Sequence, residues 1–571
     1  MKEFITKIQY AILLALIVVM PSCSDAIDID PEDALTQSEI YNDYKDMFTI
    51  KLGLYDIMQD LVEQSFVLGE CRGDLVTSGP GAKGQYSDVA EFLDNNVSKD
   101  NKYIDWSGYY HLINQCNDAL VKYPILKLKQ PKLETDVDMS AIYKHIVGET
   151  LWLRAWAYFK LVQNWGDVPF YTEPIYTVEQ SDLAKYNTPV SQDSILNQLE
   201  RDLSYSFRNC EFNWGWANLP TLWNHETVNM CAVVNLYTDV LMYRQKYQKA
   251  WDVASKIVIG GYTSSFNEDF HGSFNISTNK FTWVGGEENP WFRAMFRYAN
   301  ENQGGYFTEE GLVLAFSIEG SSFTTERHPL TAWTNNRYSD NGLYVVKPSY
   351  PSIQLFMKQD DQVRGNFGSY LLDDKYRAGA VDTIIWKYVG LECFREAGSA
   401  SSSDTETNTS GKSVVVSSIT RRGINRSLGY GNINVYRTAG LWLRAAEAAN
   451  RVGLSTTAVT LMNEVRNRVG VGASTVKQNA SVEDIENALI EERALELAYE
   501  GERWYDLVSV AVRRNDPNFL IDKVAAKVPQ AEQAAIIARL QYQKNEALGL
   551  GTSDDPIYWW KLPRPAVYRN D

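Results

Sequence analysis

Histidine and cysteine are scarce in this sequence of 571 residues, which has five of the former and six of the latter. The histidines form no HExxH motif and no close pair, so the sequence predicts no zinc site. There is no CxxC pair, and an odd number of widely spaced cysteines is left once Cys23 is set aside, so no disulfide framework can be read. We predict buried thiols at the remaining positions, Cys71, Cys116, Cys210, Cys231 and Cys393.

The signatures of common enzyme classes are also missing. The sequence contains no glycine-rich phosphate loop, no Gly-x-Ser-x-Gly turn and no Cys/His constellation. A glycosidase needs two carboxylates about 5 to 10 Å apart, and among the 72 acidic residues no motif nominates such a pair. We therefore predict no cofactor and no catalytic residue, with a surface glycoside hydrolase kept as an alternative.

Basic residues are in deficit, because 55 Lys and Arg stand against 72 Asp and Glu and give a formal net charge of −17. Binding to nucleic acid or to an anionic membrane needs clustered Lys and Arg, so both are disfavoured. Aromatic residues are abundant, with 16 Trp, 34 Tyr and 21 Phe. Trp and Tyr combine an apolar face with a polar tip, which leaves room for exposed platforms besides core positions. The charge balance favours a neutral ligand. Net acidity that only keeps the protein soluble is equally compatible with the composition.

The N-terminus has the pattern of a secretory signal. Lys2 and Lys7 precede the apolar run Tyr10–Met20, and a Pro-Ser pair then leads to Cys23. The run is too short for a comfortable membrane span. A signal peptide over residues 1–22 is therefore predicted in preference to a buried first helix.

The segment Met20-Pro21-Ser22-Cys23 resembles a bacterial lipobox, in which the cysteine is lipidated and becomes the first mature residue. Acyl chains bury many methylene groups at about 0.8 kcal/mol each, so several chains form a firm anchor. Residues 23–39 are acidic with few large apolar side chains, which predicts a flexible tether. The acidic stretch also resembles the export tag of Bacteroidetes surface lipoproteins, which implies the extracellular face of the outer membrane.

Apolar residues recur at helical spacing in the first and last thirds of the chain. One long helix is predicted over Ala141–Trp165, ending at Gly166. Two helix–turn–helix units of about 34 residues resemble tetratricopeptide-type repeats, whose paired helices bury their faces against neighbouring pairs. The principal helical segments are predicted at 40–67, 141–165, 228–258 and 441–468.

Residues 262–436 differ from their flanks. They are rich in Gly, Ser, Asn, Thr and aromatic residues, and 398–412 is of low complexity. We predict a mostly α-helical, tetratricopeptide-like scaffold over about 40–260 and 437–571 that carries this large irregular, loop-rich insertion. Since such loops often carry function, the aromatic ligand-binding candidates are Trp283, Trp291, Tyr306, Trp333 and Tyr338. For each of them, a core position beneath a loop is the alternative.

Several motifs resemble the SusD/RagB family of surface nutrient-binding lipoproteins of Bacteroidetes. The segment GETLWLRAWAYFKLVQNWGDVPFYTEP at 148–174 resembles the family signature. Gly440 and Ser509 depart from the family pattern, which commonly has Asp and Arg at these places. Further matches follow in order along the chain: GECRGD at 69–74, WSGYYHLINQCNDAL at 106–120, residues 435–470, EERALELAYEGERWYDL at 491–507 and WKLPRP at 560–565.

The resemblance implies a single SusD-like domain over 40–571 that is a receptor and not an enzyme. Such a receptor captures a glycan or a peptide at the cell surface and delivers it to a SusC-like TonB-dependent transporter, over which it sits as a lid. A glycan is our primary expectation; a peptide-binding member of the family and a surface adhesin are alternatives. In the early motif, Arg72 and Asp74 are candidate hydrogen-bonding partners of the ligand, with a structural role as the alternative.

Charged residues of the later motifs are predicted to be structural. A spacing of three on a helix favours ion pairs, and this applies to Arg444 with Glu447 and to Arg503 with Asp506. A solvated helix face with packing contacts is predicted for Glu491, Glu492 and Glu496.

One acidic stretch resembles a calcium loop. Oxygen-bearing side chains alternate from Asp94 to Asp100, and Asp105 stands at the twelfth position. Lys99, however, occupies the sixth position, where an EF-hand needs Gly, and no flanking helix pair is evident. An Asn/Asp-rich turn is therefore favoured over a metal site.

Overall fold

Helices dominate the computed structural model, which describes residues 45–128, 139–210, 227–259, 262–263, 271–272, 312–314, 330–334, 343–366, 368–373, 382–388, 405–407, 413–415, 433–545 and 555–565. The first ten helices are α1 (Asp46–Asp60), α2 (Val62–Phe66), α3 (Ser87–Leu93), α4 (Ser107–Leu128), α5 (Met139–Trp165), α6 (Val178–Ser181), α7 (Ala184–Asn187), α8 (Gln192–Asn209), α9 (Met230–Tyr243) and α10 (Tyr247–Val258). The others are α11 (Leu330–Thr334), α12 (Tyr350–Lys358), α13 (Thr438–Arg451), α14 (Ser455–Arg468), α15 (Val482–Glu496), α16 (Arg503–Arg514), α17 (Pro517–Ala525) and α18 (Gln530–Asn545). The prediction of a mostly helical fold is confirmed.

Short strands form two-stranded antiparallel pairs. The strands are β1 (Val76–Ser78), β2 (Val168–Pro169), β3 (Pro189–Val190), β4 (Tyr262–Thr263), β5 (His271–Gly272), β6 (Leu312–Leu314), β7 (Val346–Pro348), β8 (Tyr370–Asp373), β9 (Asp382–Ile385), β10 (Thr405–Thr407), β11 (Ser413–Val415) and β12 (Ile433–Tyr436). They pair as β1–β7, β2–β3, β4–β5, β6–β12, β8–β9 and β10–β11. In the first pair Val76 lies opposite Pro348, so a scaffold strand pairs with an insertion strand.

The two helix pairs identified in the sequence lie together in space. Helix α9 packs on α10, and α13 packs on α14. Both α9 and α10 also contact α13, so the pairs stack on one another although the insertion separates them in the chain. This is the stacking that buries the apolar faces of tetratricopeptide-type repeats. A side-chain cap fixes the N-terminus of α9, where Asn229 accepts a hydrogen bond from the N–H of Ala232.

A closing segment at 555–565 packs against the end of α5. That helix stops at Gly166, whose φ is +76°. The N–H of Leu562 donates to the carbonyl of Asn164 at 2.7 Å. Lys561 Nζ donates to the carbonyls of Val162 at 2.9 Å and Gln163 at 2.8 Å. The closing segment thus supplies donors for the terminal carbonyls of α5, which have no partner within the helix.

The predicted thiols are buried where the structure describes them. Four cysteines are free and buried, namely Cys71, Cys116, Cys210 and Cys231, while Cys393 lies outside the described residues. Within the described ranges, no helix has the length and apolar character needed to cross a membrane. The signal peptide, the tether and the boundaries of the insertion remain proposals.

Candidate ligand-binding site

Most of the ligand-binding candidates predicted in the insertion fall outside the described residues, as does the lipidation candidate. These are Cys23, Trp283, Trp291, Tyr306 and Tyr338. The described candidates are Trp333, Arg72 and Asp74, and the structure brings none of the three to the surface.

Trp333 lies in α11 with only 2 % of its surface exposed. Its ring meets those of Tyr86 and Tyr103 edge-on, with centroids 6.2 and 6.4 Å away. Its carbonyl also accepts a hydrogen bond from the N–H of Val345 at 2.7 Å. The prediction that Trp333 is a ligand platform is wrong for this structure, because the ring is enclosed by protein and holds the insertion to the scaffold.

Arg72 and Asp74 are also engaged by protein. Arg503 donates from Nε and Nη2 to the two carboxylate oxygens of Asp74 at 2.6 and 2.9 Å. Burial raises the pKa of Asp74, but the Arg503 guanidinium outweighs that effect and holds the pKa below its ordinary value. The guanidinium of Arg72 lies 3.9 Å from the ring centroid of Trp504 and donates to the carbonyl of Trp560 at 2.9 Å. We therefore correct both predictions from ligand contact to structural roles.

Of the two ion pairs predicted within helices, one is present and the other is not. Arg444 Nη1 lies 2.7 Å from Glu447 Oε2, as the spacing predicts. Arg503 instead pairs with the distant Asp74, and Asp506 pairs with Arg493 at 2.9 Å. The predicted pair of Arg503 with Asp506 is therefore wrong, because buried partners from other elements are better placed.

A buried cluster of arginines and glutamates joins the insertion to the scaffold. Glu496 Oε1 accepts from Arg437 at 2.9 Å and from Arg468, while Oε2 accepts from Arg364 at 2.9 Å. Arg364 also lies 2.6 Å from Glu492. Glu492 and Glu496 are 1 % and 0 % exposed, so the predicted solvated face is wrong for them. We call this group the arginine–glutamate cluster: Arg364, Arg437, Arg466, Arg468, Glu492 and Glu496.

The electrostatics of this cluster suit a structural element. Burial raises the pKa of Glu496. The three surrounding guanidinium groups have the larger, opposite effect and hold this pKa well below its ordinary value. The carboxylate is therefore charged and fully paired. A group in that state has no proton to donate as a general acid, and its complete burial keeps a substrate from reaching it as a base.

A small cavity lies where the insertion meets α2 and α5; we call it the junction cavity. Phe66, Trp156 and Asn434 line it, together with Lys160 and Glu502, which form an ion pair at 3.2 Å. The indole N–H of Trp156 has no hydrogen-bond partner among the described residues. The volume is about 50 Å³, which holds about four water molecules and is too small for a sugar ring.

A much larger groove lies between α14 and α15. Its volume is about 560 Å³, within the range of about 300–1,000 Å³ typical of ligand pockets. We call it the α14–α15 groove and define it by six of its polar lining residues, Thr475, Lys477, Asn479, Asp484, Asn487 and Glu491. Sequence reasoning missed it. The available signal was the run of small and polar residues at 472–481, which connects two motif helices.

The calcium-like stretch is used for helix capping. Asp105 accepts hydrogen bonds from the N–H and hydroxyl of Ser107 at 3.0 and 2.9 Å, at the first residue of α4. Glu91 accepts from the N–H of Ser98 at 2.8 Å and from the Asn101 amide at 2.8 Å. In the part of the chain that the structure describes, no group of three or more His, Cys, Asp or Glu side chains could hold a metal ion.

A family model described as "SusD family" matches residues 237–571, more than half of the sequence. The chain belongs to the SusD family. A second model, described as "Starch-binding associating with outer membrane", matches residues 40–207 of this SusD-family protein. Both matched segments contribute residues to the lining of the junction cavity, such as Phe66 and Trp156 from the first and Asn434 from the second.

Relatives of this SusD-family protein are distant but cover nearly its whole length. The SusD-like protein P38 of Formosa agariphila is 23% identical over 533 residues, which span 89% of this chain and 92% of the relative. A solved SusD superfamily protein of Bacteroides vulgatus has a TM-score of 0.61 at 16% identity and covers 92% and 97% of the two chains. A structure called a laminarin-binding SusD-like protein has a TM-score of 0.53 at 20% identity over 86% and 96%. At these identities the structures establish the fold.

Proposed function

We propose that this protein is a cell-surface lipoprotein that binds a glycan and takes part in its uptake. The observation that carries the proposal is the pair of family matches, which together cover 40–207 and 237–571 and include a starch-binding description. The laminarin-binding SusD-like protein supports the glycan class, because laminarin is a polysaccharide. The formal net charge of −17 also favours a neutral ligand.

We further propose that binding occurs without catalysis. The carboxylates that the family motifs place at Glu492, Glu496 and Asp506 are held by arginines. This arrangement supports a scaffold role for the motifs. The platform proposed for the ligand is the aromatic set of the insertion that lies outside the described residues: Trp283, Trp291, Tyr306 and Tyr338.

The proposed partner is a SusC-like TonB-dependent transporter. A sugar that stacks on one or two aromatic rings gains only about 1 kcal/mol from each beyond area burial, so capture by one receptor is weak. Tethering the receptor beside its transporter raises the effective concentration of captured ligand. Lipidation of Cys23 after removal of residues 1–22, with an acidic tether over 23–39, would provide this at the extracellular face of the outer membrane.

Trp283→Ala and Trp291→Ala are each expected to weaken binding of the recognised oligosaccharide about tenfold, while the free energy of unfolding stays within about 0.5 kcal/mol of wild type. Calorimetric titration with a panel of neutral oligosaccharides measures the first quantity and denaturant titration the second. Trp333→Ala is the contrasting variant, with an expected stability loss of about 3–5 kcal/mol because its ring is buried. Release of hydrolysis products during the titration would replace the receptor proposal with the hydrolase alternative.

Cys23→Ala is expected to move the protein from the membrane fraction to the soluble fraction of expressing cells, because the variant has no thiol for the acyl chains at that position. Cys116→Ala is the matched control, since its thiol is buried. Fractionation followed by immunoblotting gives the readout. A Cys23→Ala protein that remains with the outer membrane would refute the lipid anchor.

A further inference from the structure

The α14–α15 groove has a fixed geometry. One face of α15 forms its floor, where Asp484, Asn487 and Glu491 succeed one another at intervals of three and four residues. The loop between α14 and α15 forms a wall that carries Thr475, Lys477 and Asn479. The groove is thus bordered by polar side chains on two sides, with small aliphatic side chains between them.

The loop wall is held by hydrogen bonds to its own helices. Asn463 of α14 accepts from the N–H of Ser474 at 2.8 Å, and Arg466 Nε donates to the carbonyl of Gly472 at 3.1 Å. Gly472 has a φ of +75°, which lets the chain turn sharply before the wall. The N–H of Ala480 then donates to the carbonyl of Lys477 at 3.0 Å. The backbone of this wall therefore needs little ordering when a ligand binds.

The lining groups divide into committed and uncommitted ones. Arg466 and Glu492, at one end, are paired with each other at 2.7 Å and belong to the arginine–glutamate cluster. Asn487 accepts a hydrogen bond from Arg514 through Oδ1, which leaves its NH₂ group for a ligand. No described group bonds the side chains of Thr475, Lys477, Asn479 or Glu491, and Asp484 has one engaged oxygen, bonded to Ser481.

The uncommitted groups match the chemistry of a saccharide. They include amide and hydroxyl groups that donate and accept, and carboxylates that accept from hydroxyls. Ala480 and Ala488 supply small apolar surface in the same groove. The charged lining residues have a formal net charge of −1, which disfavours an anionic sugar. They are Arg466, Lys477, Asp484, Glu491 and Glu492.

We propose that the α14–α15 groove is a binding subsite for a neutral saccharide, separate from the aromatic platform of the insertion. The inference rests on the proposed function, to which it adds a second contact surface on the helical scaffold. Because no aromatic ring among the described residues lines the groove, its affinity comes from polar contacts worth about 0.5–1.5 kcal/mol each. The subsite is therefore a weak one that acts together with the insertion on a long chain.

Hydrogen–deuterium exchange of the full-length protein tests the subsite locally. Neutral hexasaccharides of glucose, mannose and xylose are the probes, and an oligogalacturonate of the same length is the anionic comparison. We expect a neutral probe to slow exchange in peptides covering 471–491, and the oligogalacturonate to leave them unchanged. Asn479→Ala and Glu491→Gln should each weaken the concentration dependence of this protection about fivefold.

Glu483→Gln is the matched control for Glu491→Gln. It lies on the same helix with 70% of its side chain exposed, outside the groove, and forms an ion pair with Arg514 at 3.3 Å. Its protection curve should equal that of wild type. Binding by the wild type without protection of 471–491, protection unchanged in the variants, or preference for the uronate would overturn the subsite and leave the proposed function standing. Absence of binding to any glycan would overturn both.

Discussion

Replacing Glu496 with glutamine is expected to lower the free energy of unfolding by about 3–5 kcal/mol. The Glu496 side chain is fully buried and its two oxygens accept from Arg364, Arg437 and Arg468. An amide has no charge to compensate these guanidinium groups, and its NH₂ would point donors at donors. Removal of one partner from a buried ionic network leaves uncompensated charge, which is the costly change.

Denaturant titration of the two proteins measures this effect. Glu483→Gln is again a suitable control, because its ion pair with Arg514 is exposed and contributes about 0–1 kcal/mol. The expected result is a large loss for the buried site and almost none for the exposed one. Equal stability of Glu496→Gln and wild type would show that the arginine–glutamate cluster does not stabilise the contact between the insertion and the scaffold.

Gly81→Ala should lower the free energy of unfolding by about 3 kcal/mol. A Cβ atom at this position would lie 1.7 Å from the carbonyl oxygen of Leu343 and 2.8 Å from its carbon. The clash is with backbone, so no side chain can rotate away. Gly81 also donates to the carbonyl of Tyr344 at 3.0 Å. The substitution therefore separates the insertion from the scaffold beside β1 and β7.

Gly53→Ala provides the opposite control. Gly53 lies inside α1, and beyond its chain neighbours and the backbone of its own helix no described heavy atom stands within 4 Å of the Cβ it would gain. Alanine is the better helix former by about 0.8–1.0 kcal/mol, so this variant should be more stable than wild type. Faster amide exchange over 343–348 in Gly81→Ala would locate its loss at the proposed contact. A wild-type exchange pattern there would contradict the explanation.

The helices and their pairing could be predicted from the sequence, because apolar residues that recur at helical spacing mark the buried face of each helix. The long α5 was predicted over Ala141–Trp165 and begins only two residues earlier, at Met139. The pairs α9–α10 and α13–α14 were found at nearly their observed bounds. Gly166, predicted to end α5, has the positive φ that such an end favours.

Side-chain partners could not be predicted in the same way. Arg503 was expected to pair with Asp506, three residues away, but it pairs with Asp74, 429 residues away. Glu496 was assigned to a solvated face because its helix is rich in charge, yet its partners come from α14 and the insertion. Trp333 looked exposed because turn residues surround it. In all three cases tertiary packing determines the partner or the burial of the side chain, and the spacing of residues along the sequence does not reveal it.

The α14–α15 groove was missed for a related reason. Small and polar residues at 472–481 predict a surface loop. They do not show whether the side chains of the loop and of α15 line a common groove. The convergence depends on Asn463 and Arg466, which hold the loop over α15.

The contact between the closing segment and α5 bears on when the protein can finish folding. A chain that emerges from its N-terminus presents Val162, Gln163 and Asn164 roughly 400 residues before Lys561 and Leu562. Until those last residues arrive, the carbonyls of Gln163 and Asn164 lack the donors of the closing segment and stay hydrated. The Arg72 guanidinium likewise lacks the carbonyl of Trp560. Contacts of such sequence separation form slowly. Native packing at this end of α5 is therefore completed late, after nearly the whole chain has been made.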